Sequence, residues 1–134
     1  MNIKLALEWA TAQIDSDTPR LDAELLLAHV LDHTRTWLIT WADKPLSESQ
    51  QRAFEALIAQ RQAGRPVAQL VGSTGFWTLD IQVNEHTLIP RPETEHLVEQ
   101  ALQLIPPNAN WNIADLGTGS GAIALALASE RPHC

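Results

Sequence analysis

Apolar side chains recur at a helical period through the first half of the chain and at a period of two in one short stretch after it. Ile3, Leu7, Ala10 and Ile14 share one face of a helix predicted over residues 2–15. The turn formers of "DSDTPR" end that pattern, and Pro19 suits the first turn of a second helix, where its missing N–H leaves no bond unmade. The second helix, "RLDAELLLAHVLDH", is apolar almost all round and is expected to be the buried centre of a small bundle. "TRTWLITWADKPL" predicts a short helix and a loop ending at Pro45. In "SESQQRAFEALIAQRQAG", Ser47 and Gln50 have capping-box spacing, Phe54, Leu57 and Ile58 form an apolar face, and Gly64 stands where a helix ends. "RPVAQLVG" reads as a further short turn or helix, so residues 1–72 predict an all-helical bundle of four or five elements.

The period then changes. In "STGFWTLDIQVN", Trp77, Leu79, Ile81 and Val83 alternate with Thr78, Asp80 and Gln82, which predicts extended structure. A hairpin pairing residues 73–77 with 80–84 around Thr78-Leu79 is expected, although these are not strong turn residues. "HTLIPRP" is held extended by two prolines around Arg91. "ETEHLVEQALQLI" predicts a helix with Glu93 and Glu95 at its positive end, "WNIADL" a short apolar strand, and "GAIALALASER" a closing helix. The fold class expected is α+β: a helical bundle over residues 1–72, a linker β-hairpin over 73–90, and over 91–134 the beginning of a Rossmann-like α/β domain.

Composition narrows the picture. The chain has 134 residues, 45% hydrophobic and 19% charged, which is globular and far from the disordered regime. The net charge is -7, and residues 73–134 hold 2 basic and 7 acidic side chains. That balance argues against nucleic-acid binding, which needs clustered Lys and Arg. A single cysteine, Cys134, excludes an internal disulfide framework. With no basic leader and no stretch near about 18 continuous apolar residues, the chain reads as a soluble, cytoplasmic monomer with no membrane segment.

The candidate chemistry lies in two stretches. In "DLGTGSG", a strand is expected to meet a helix through Gly117, Gly119 and Gly121, which lets the backbone turn sharply and approach a ligand. The spacing is G-x-G-x-G and not the dinucleotide G-x-G-x-x-G. Asp115, two residues before the first glycine, would repel a pyrophosphate but could help hold an ammonium group. S-adenosylmethionine carries such a group, so the loop leans toward that cofactor over NAD; a plain strand–helix turn without ligand stays open. In "LIPRPETEHL", Arg91 lies between Pro90 and Pro92. The stretch is either a wall beside a ligand site or a rigid linker whose Arg91 pairs with Glu93 or Glu95. Phe76 and Trp77 either line a pocket or pack one module on the next. His29 and His33 have metal-compatible spacing but no third ligand nearby, and no metal site is expected.

Taken together, "GFWTLDIQVNEHTLIPRPETEHLVE" followed by "IADLGTGSGAIALALA" resembles the HemK/PrmC family of peptide chain release factor N5-glutamine methyltransferases. "PRLDAELLLAHVLDHTRTWLI" and "QRQAGRPVAQLVG" resemble that family's N-terminal domain, so the likeness covers the whole chain. The resemblance implies a class I methyltransferase that uses S-adenosylmethionine to methylate the glutamine of the Gly-Gly-Gln motif in release factors, its protein partners. It implies that the helical bundle helps bind that substrate. Gly117, Thr118, Gly119, Ser120 and Gly121, with Asp115, would hold the cofactor, and Arg91, Pro92 and Thr94 would line the cleft. The family's substrate-orienting Asn-Pro-Pro-Tyr motif is absent from these residues, whose only Pro-Pro is Pro106-Pro107. The ribose-binding acid and most of the parallel sheet are absent too. The expectation is therefore a truncated α/β domain with no catalytic residue, inactive alone; the alternative is a non-catalytic protein-binding helical module.

Overall fold

The computed structural model describes all residues from Met1 to Cys134. The chain divides into two compact units, Met1–Val71 and Gly72–Cys134.

The first unit holds α1 (Ile3–Gln13), α2 (Pro19–Leu31), α3 (Arg35–Thr40), α4 (Glu48–Gln62) and α5 (Val67–Val71). Local chemistry sets their ends. Asn2 caps α1 by accepting the Leu5 N–H at 2.9 Å. Pro19 is the first residue of α2, which stops at Asp32 in the left-handed conformation (φ 54°). Ser47 and Gln50 form a complete capping box at the start of α4. Beyond α4, Gly64 takes φ +97°, as a helix C-terminus requires.

Helix α2 packs against α1, α3, α4 and α5. Ile3, Ala6, Leu7 and Ala10 of α1, Ala23, Leu26 and Leu27 of α2, Leu38 of α3, and Phe54 and Ile58 of α4 are buried in one core. Each large aliphatic or aromatic side chain so buried contributes ~1.5–3 kcal/mol. The centre is not wholly apolar, because α2 also buries Asp22 and Glu24. Asp22 accepts from Ser16 Oγ (2.9 Å), Thr18 Oγ1 (3.2 Å) and Arg61 Nε (3.0 Å). Glu24 accepts from Arg20 Nε (2.8 Å) and from Arg35 Nε and Nη2 (3.0 and 2.9 Å). Burial pushes the Glu24 carboxyl up, but the hydrogen bonds and charges of Arg20 and Arg35 outweigh it and hold its pKa below the ordinary glutamate value.

The second unit holds β1 (Ser73–Phe76), β2 (Leu79–Gln82), a 3₁₀ turn (Pro92–Thr94), α6 (Glu95–Leu104) and α7 (Ala122–Glu130). The hairpin exists, but its register differs from the one expected. Ser73 pairs with Gln82 and Phe76 with Leu79, so the turn is Trp77-Thr78. The alternation expected of Leu79, Ile81 and Val83 is kept, with Ile81 and Val83 buried. Residues 111–116, expected as a strand, are not one: they make no backbone-to-backbone hydrogen bond. A strand exists only through its neighbours, and the single sheet has two strands, both in the hairpin. Val98 of α6 and Ala122, Ala126 and Leu127 of α7 are buried where these helices pack together. Arg131 locks the ends by donating to Ile105 O (2.9 Å) and Leu102 O (3.0 Å), the carbonyls that a helix C-terminus leaves unpaired. No helix of the chain is long and apolar enough to cross a membrane.

Candidate functional site

The glycine stretch makes its turn without a preceding strand. Gly117, Gly119 and Gly121 have φ of +69°, +58° and +84°. A Cβ at Gly117 or Gly119 would meet nothing within 4 Å, so the glycines answer to backbone conformation and not to crowding. Gly121 donates its N–H to Thr118 O at 3.0 Å and sits at the N-cap of α7 with no side-chain cap. The first N–H groups of α7 are therefore left for solvent or a ligand.

Opposite the loop stands the proline-braced stretch. Leu88, Ile89, Pro90, Arg91 and Thr94 on one wall, and Gly117, Thr118, Gly119, Ser120, Ala122 and Ile123 on the other, enclose an open cleft of about 490 Å³. Six of the nine residues singled out from the sequence thus share one cleft: Arg91, Thr94, Gly117, Thr118, Gly119 and Ser120. The other three do not line it. Pro92 is exposed and opens the 3₁₀ turn. Gly121 forms the cap behind the loop. Asp115 lines a separate hollow of about 410 Å³ with Ile113, Ala124, Leu127, Ala128 and Cys134. Its Oδ2 accepts the Thr118 hydroxyl at 3.0 Å, so it reaches the cleft through the loop it braces.

Charge in the cleft follows from the two arginines of this unit. Arg131 is committed to backbone carbonyls, whereas Arg91 is exposed and pairs with neither Glu93 nor Glu95. The cleft thus offers one free guanidinium, suited to a carboxylate, beside a helix N-terminus and a backbone open to close approach. The apolar linings Leu88, Ile89, Ala122 and Ile123 went unremarked in the sequence, though the first two directly precede Pro90. Phe76 and Trp77 line neither hollow: Phe76 is fully buried. In the first unit, His33 stacks on Trp37 at 3.8 Å between ring centres, and no group of three or more His, Cys, Asp or Glu could hold a metal.

Comparison with known proteins bears on both units. Residues 6–72 match the family model described as PrmC N-terminal domain. Over 127 residues the chain is 58% identical to a release factor glutamine methyltransferase of Xylella fastidiosa (strain 9a5c), covering 95% of this chain and 45% of the relative. It is 50% identical over 129 residues to the protein of that name from Escherichia coli (strain K12), covering 96% and 46%. A third relative of that name, from Coxiella burnetii (strain RSA 493 / Nine Mile phase I), is 47% identical over 135 residues, covering 99% and 49%. The chain spans less than half the length of these relatives.

Proposed function

Because the chain belongs to the PrmC family of release factor glutamine methyltransferases, we propose that its second unit supplies part of the site for S-adenosylmethionine. We propose further that the activity served is methyl transfer to the glutamine amide nitrogen of the Gly-Gly-Gln motif in release factors. The observation that carries this reading is the meeting of two separate stretches, Arg91–Thr94 and Gly117–Ser120, across one cleft. The donor set fits the cofactor: a free guanidinium for its carboxylate, glycines at positive φ for close backbone approach, and an uncapped helix N-terminus. Bound S-adenosylmethionine supplies an electrophilic methyl group on its sulfonium.

The residues have distinct tasks in this reading. Arg91 orients the amino-acid end of the cofactor, and Thr94 and Thr118 offer hydroxyls to it. Asp115 acts from behind, tying the loop through Thr118, and Pro92 stiffens the wall that carries Arg91. Gly121 lets α7 begin directly at the loop. Residues 1–72 serve to dock the protein substrate, residues 73–90 connect and end in Leu88, Ile89 and Pro90 on the cleft wall, and residues 91–134 supply the rest of the cofactor site. An amide nitrogen is a weak nucleophile and must be held in line with the methyl group. An Asn-Pro-Pro-Tyr motif that would do so does not occur in these 134 residues. The assignment is therefore a cytoplasmic, monomeric chain that binds the cofactor and a release factor but does not transfer the methyl group unaided.

Calorimetry with S-adenosylmethionine tests the cofactor, and incubation with a release factor and labelled cofactor tests the chemistry. Saturable binding with no robust methyl transfer is expected. Robust transfer by residues 1–134 alone would overturn the claim of inactivity. A second reading, a protein-binding helical module without cofactor, draws on the self-contained core of Met1–Val71. It predicts binding to a protein partner with no heat from S-adenosylmethionine.

A further inference from the structure

Trp77 is held in a conformation that a bulky side chain seldom adopts. Its φ is 58°, in the left-handed region, at the first position of the hairpin turn. A two-residue hairpin turn calls for such a φ at its first position, which Gly, Asn or Asp usually fills, and two carboxylates help hold the bulky Trp77 there. The Trp77 backbone N–H donates to Glu95 Oε1 at 2.6 Å. Its indole Nε1–H donates to Glu130 Oε1 at 2.9 Å.

The two acceptors stand on different helices, and each helix leads to a different wall of the cleft. Glu95 is the first residue of α6; its own N–H bonds back to Pro92 O, and the Thr94 N–H bonds to Arg91 O at 3.0 Å. The side chain that Trp77 holds therefore belongs to the same hydrogen-bonded turn that presents Arg91 and Thr94. Glu130 is the last residue of α7, whose first turn adjoins the glycine loop. Over nine residues a helix transmits position as a short rod.

We propose that Trp77 is a positioning residue for the cleft, setting the Arg91–Thr94 wall through Glu95 and the glycine-loop wall through Glu130. The inference deepens the proposed cofactor site and rests on that reading for its link to binding. Neither Trp77 nor Glu95 lines the cleft, so any effect of changing them on a ligand is transmitted.

The test compares Glu95→Ala, Glu95→Gln and Trp77→Phe in the 134-residue chain, using S-adenosylmethionine as calorimetric probe and amide exchange at Thr94 and Gly121, whose N–H groups bond Arg91 O and Thr118 O. Glu95→Ala is expected to weaken binding about tenfold, the scale of one lost charge-assisted hydrogen bond. Glu95→Gln keeps an acceptor oxygen and is expected to stay within about twofold of the native affinity. Trp77→Phe removes the indole N–H that bonds Glu130 while keeping an aromatic ring, and is expected to speed exchange at Gly121, whose N–H bonds Thr118 O, more than at Thr94. Native affinity in Glu95→Ala, or equal losses in the two Glu95 variants, would overturn the proposal. If the native chain itself gives no heat with the probe, the cofactor reading fails and exchange alone decides the positioning. Faster exchange at Thr94 in Glu95→Ala but not in Glu95→Gln then supports it, and unchanged exchange refutes it.

Discussion

Glu24 shows how a charged residue can sit at the centre of a helical bundle. It is buried on α2, and the two guanidiniums that hold it are about half exposed. Removing its charge strands two arginines beside a buried site, and partial solvation of those arginines moderates the loss. Glu24→Gln should lower stability at neutral pH by about 2 kcal/mol, read from the urea midpoint. The sign of the pH dependence follows from its lowered pKa. Stability from this carboxylate is fully present above the unfolded-state pKa and is lost as pH falls through the lower folded-state value. The gap between native chain and variant should therefore close in acid; a gap that stays constant would refute the assignment. At the cleft, Gly119→Ala should cost ~1–2 kcal/mol, because φ +58° disfavours a Cβ even where space is open. It should also weaken S-adenosylmethionine binding measured by calorimetry. Arg35 and Arg61 lie 11 and 39 residues from the acids they pair with, so no local pattern in the sequence announced either pair.

Elements were legible where their signals are local. The apolar spacing, Pro19 at a first turn, Ser47 with Gln50, and Gly64 after a helix act within a few residues, and the structure uses each of them. Ser47→Ala should remove about 1 kcal/mol from the stability of the first unit, seen in denaturant unfolding. The hairpin was legible as a hairpin but not in register, because tertiary bonds to Glu95 and Glu130 hold the turn at Trp77. Residues 111–116 carry a strand's composition without a strand's partner. Periodicity reports which faces want burial, whereas a strand also needs hydrogen bonds from a neighbouring chain segment.

At the scale of the whole molecule, the two units differ in how fully they bury their apolar groups. Met1–Val71 closes one core around α2. In Gly72–Cys134, Leu116 is 92% exposed, and Trp111, Ile113 and Leu125 are also exposed. Local opening free energy follows buried contacts and protected backbone bonds. Native-state hydrogen exchange should therefore find residues 106–134 less protected than α1, α2 and α4; equal protection would contradict this.

By itself the sequence determined the helices and their caps, the switch to extended structure, the glycine loop and the family likeness. These depend on spacing and residue type within short windows. Only the tertiary structure decided that Arg91 and Thr94 face Gly117–Ser120 while Asp115 stands behind them, that α2 buries two paired acids, and that residues 111–116 form no strand. Each of those outcomes depends on groups far apart in the chain, whose meeting is set by packing and by which hydrogen bonds find partners.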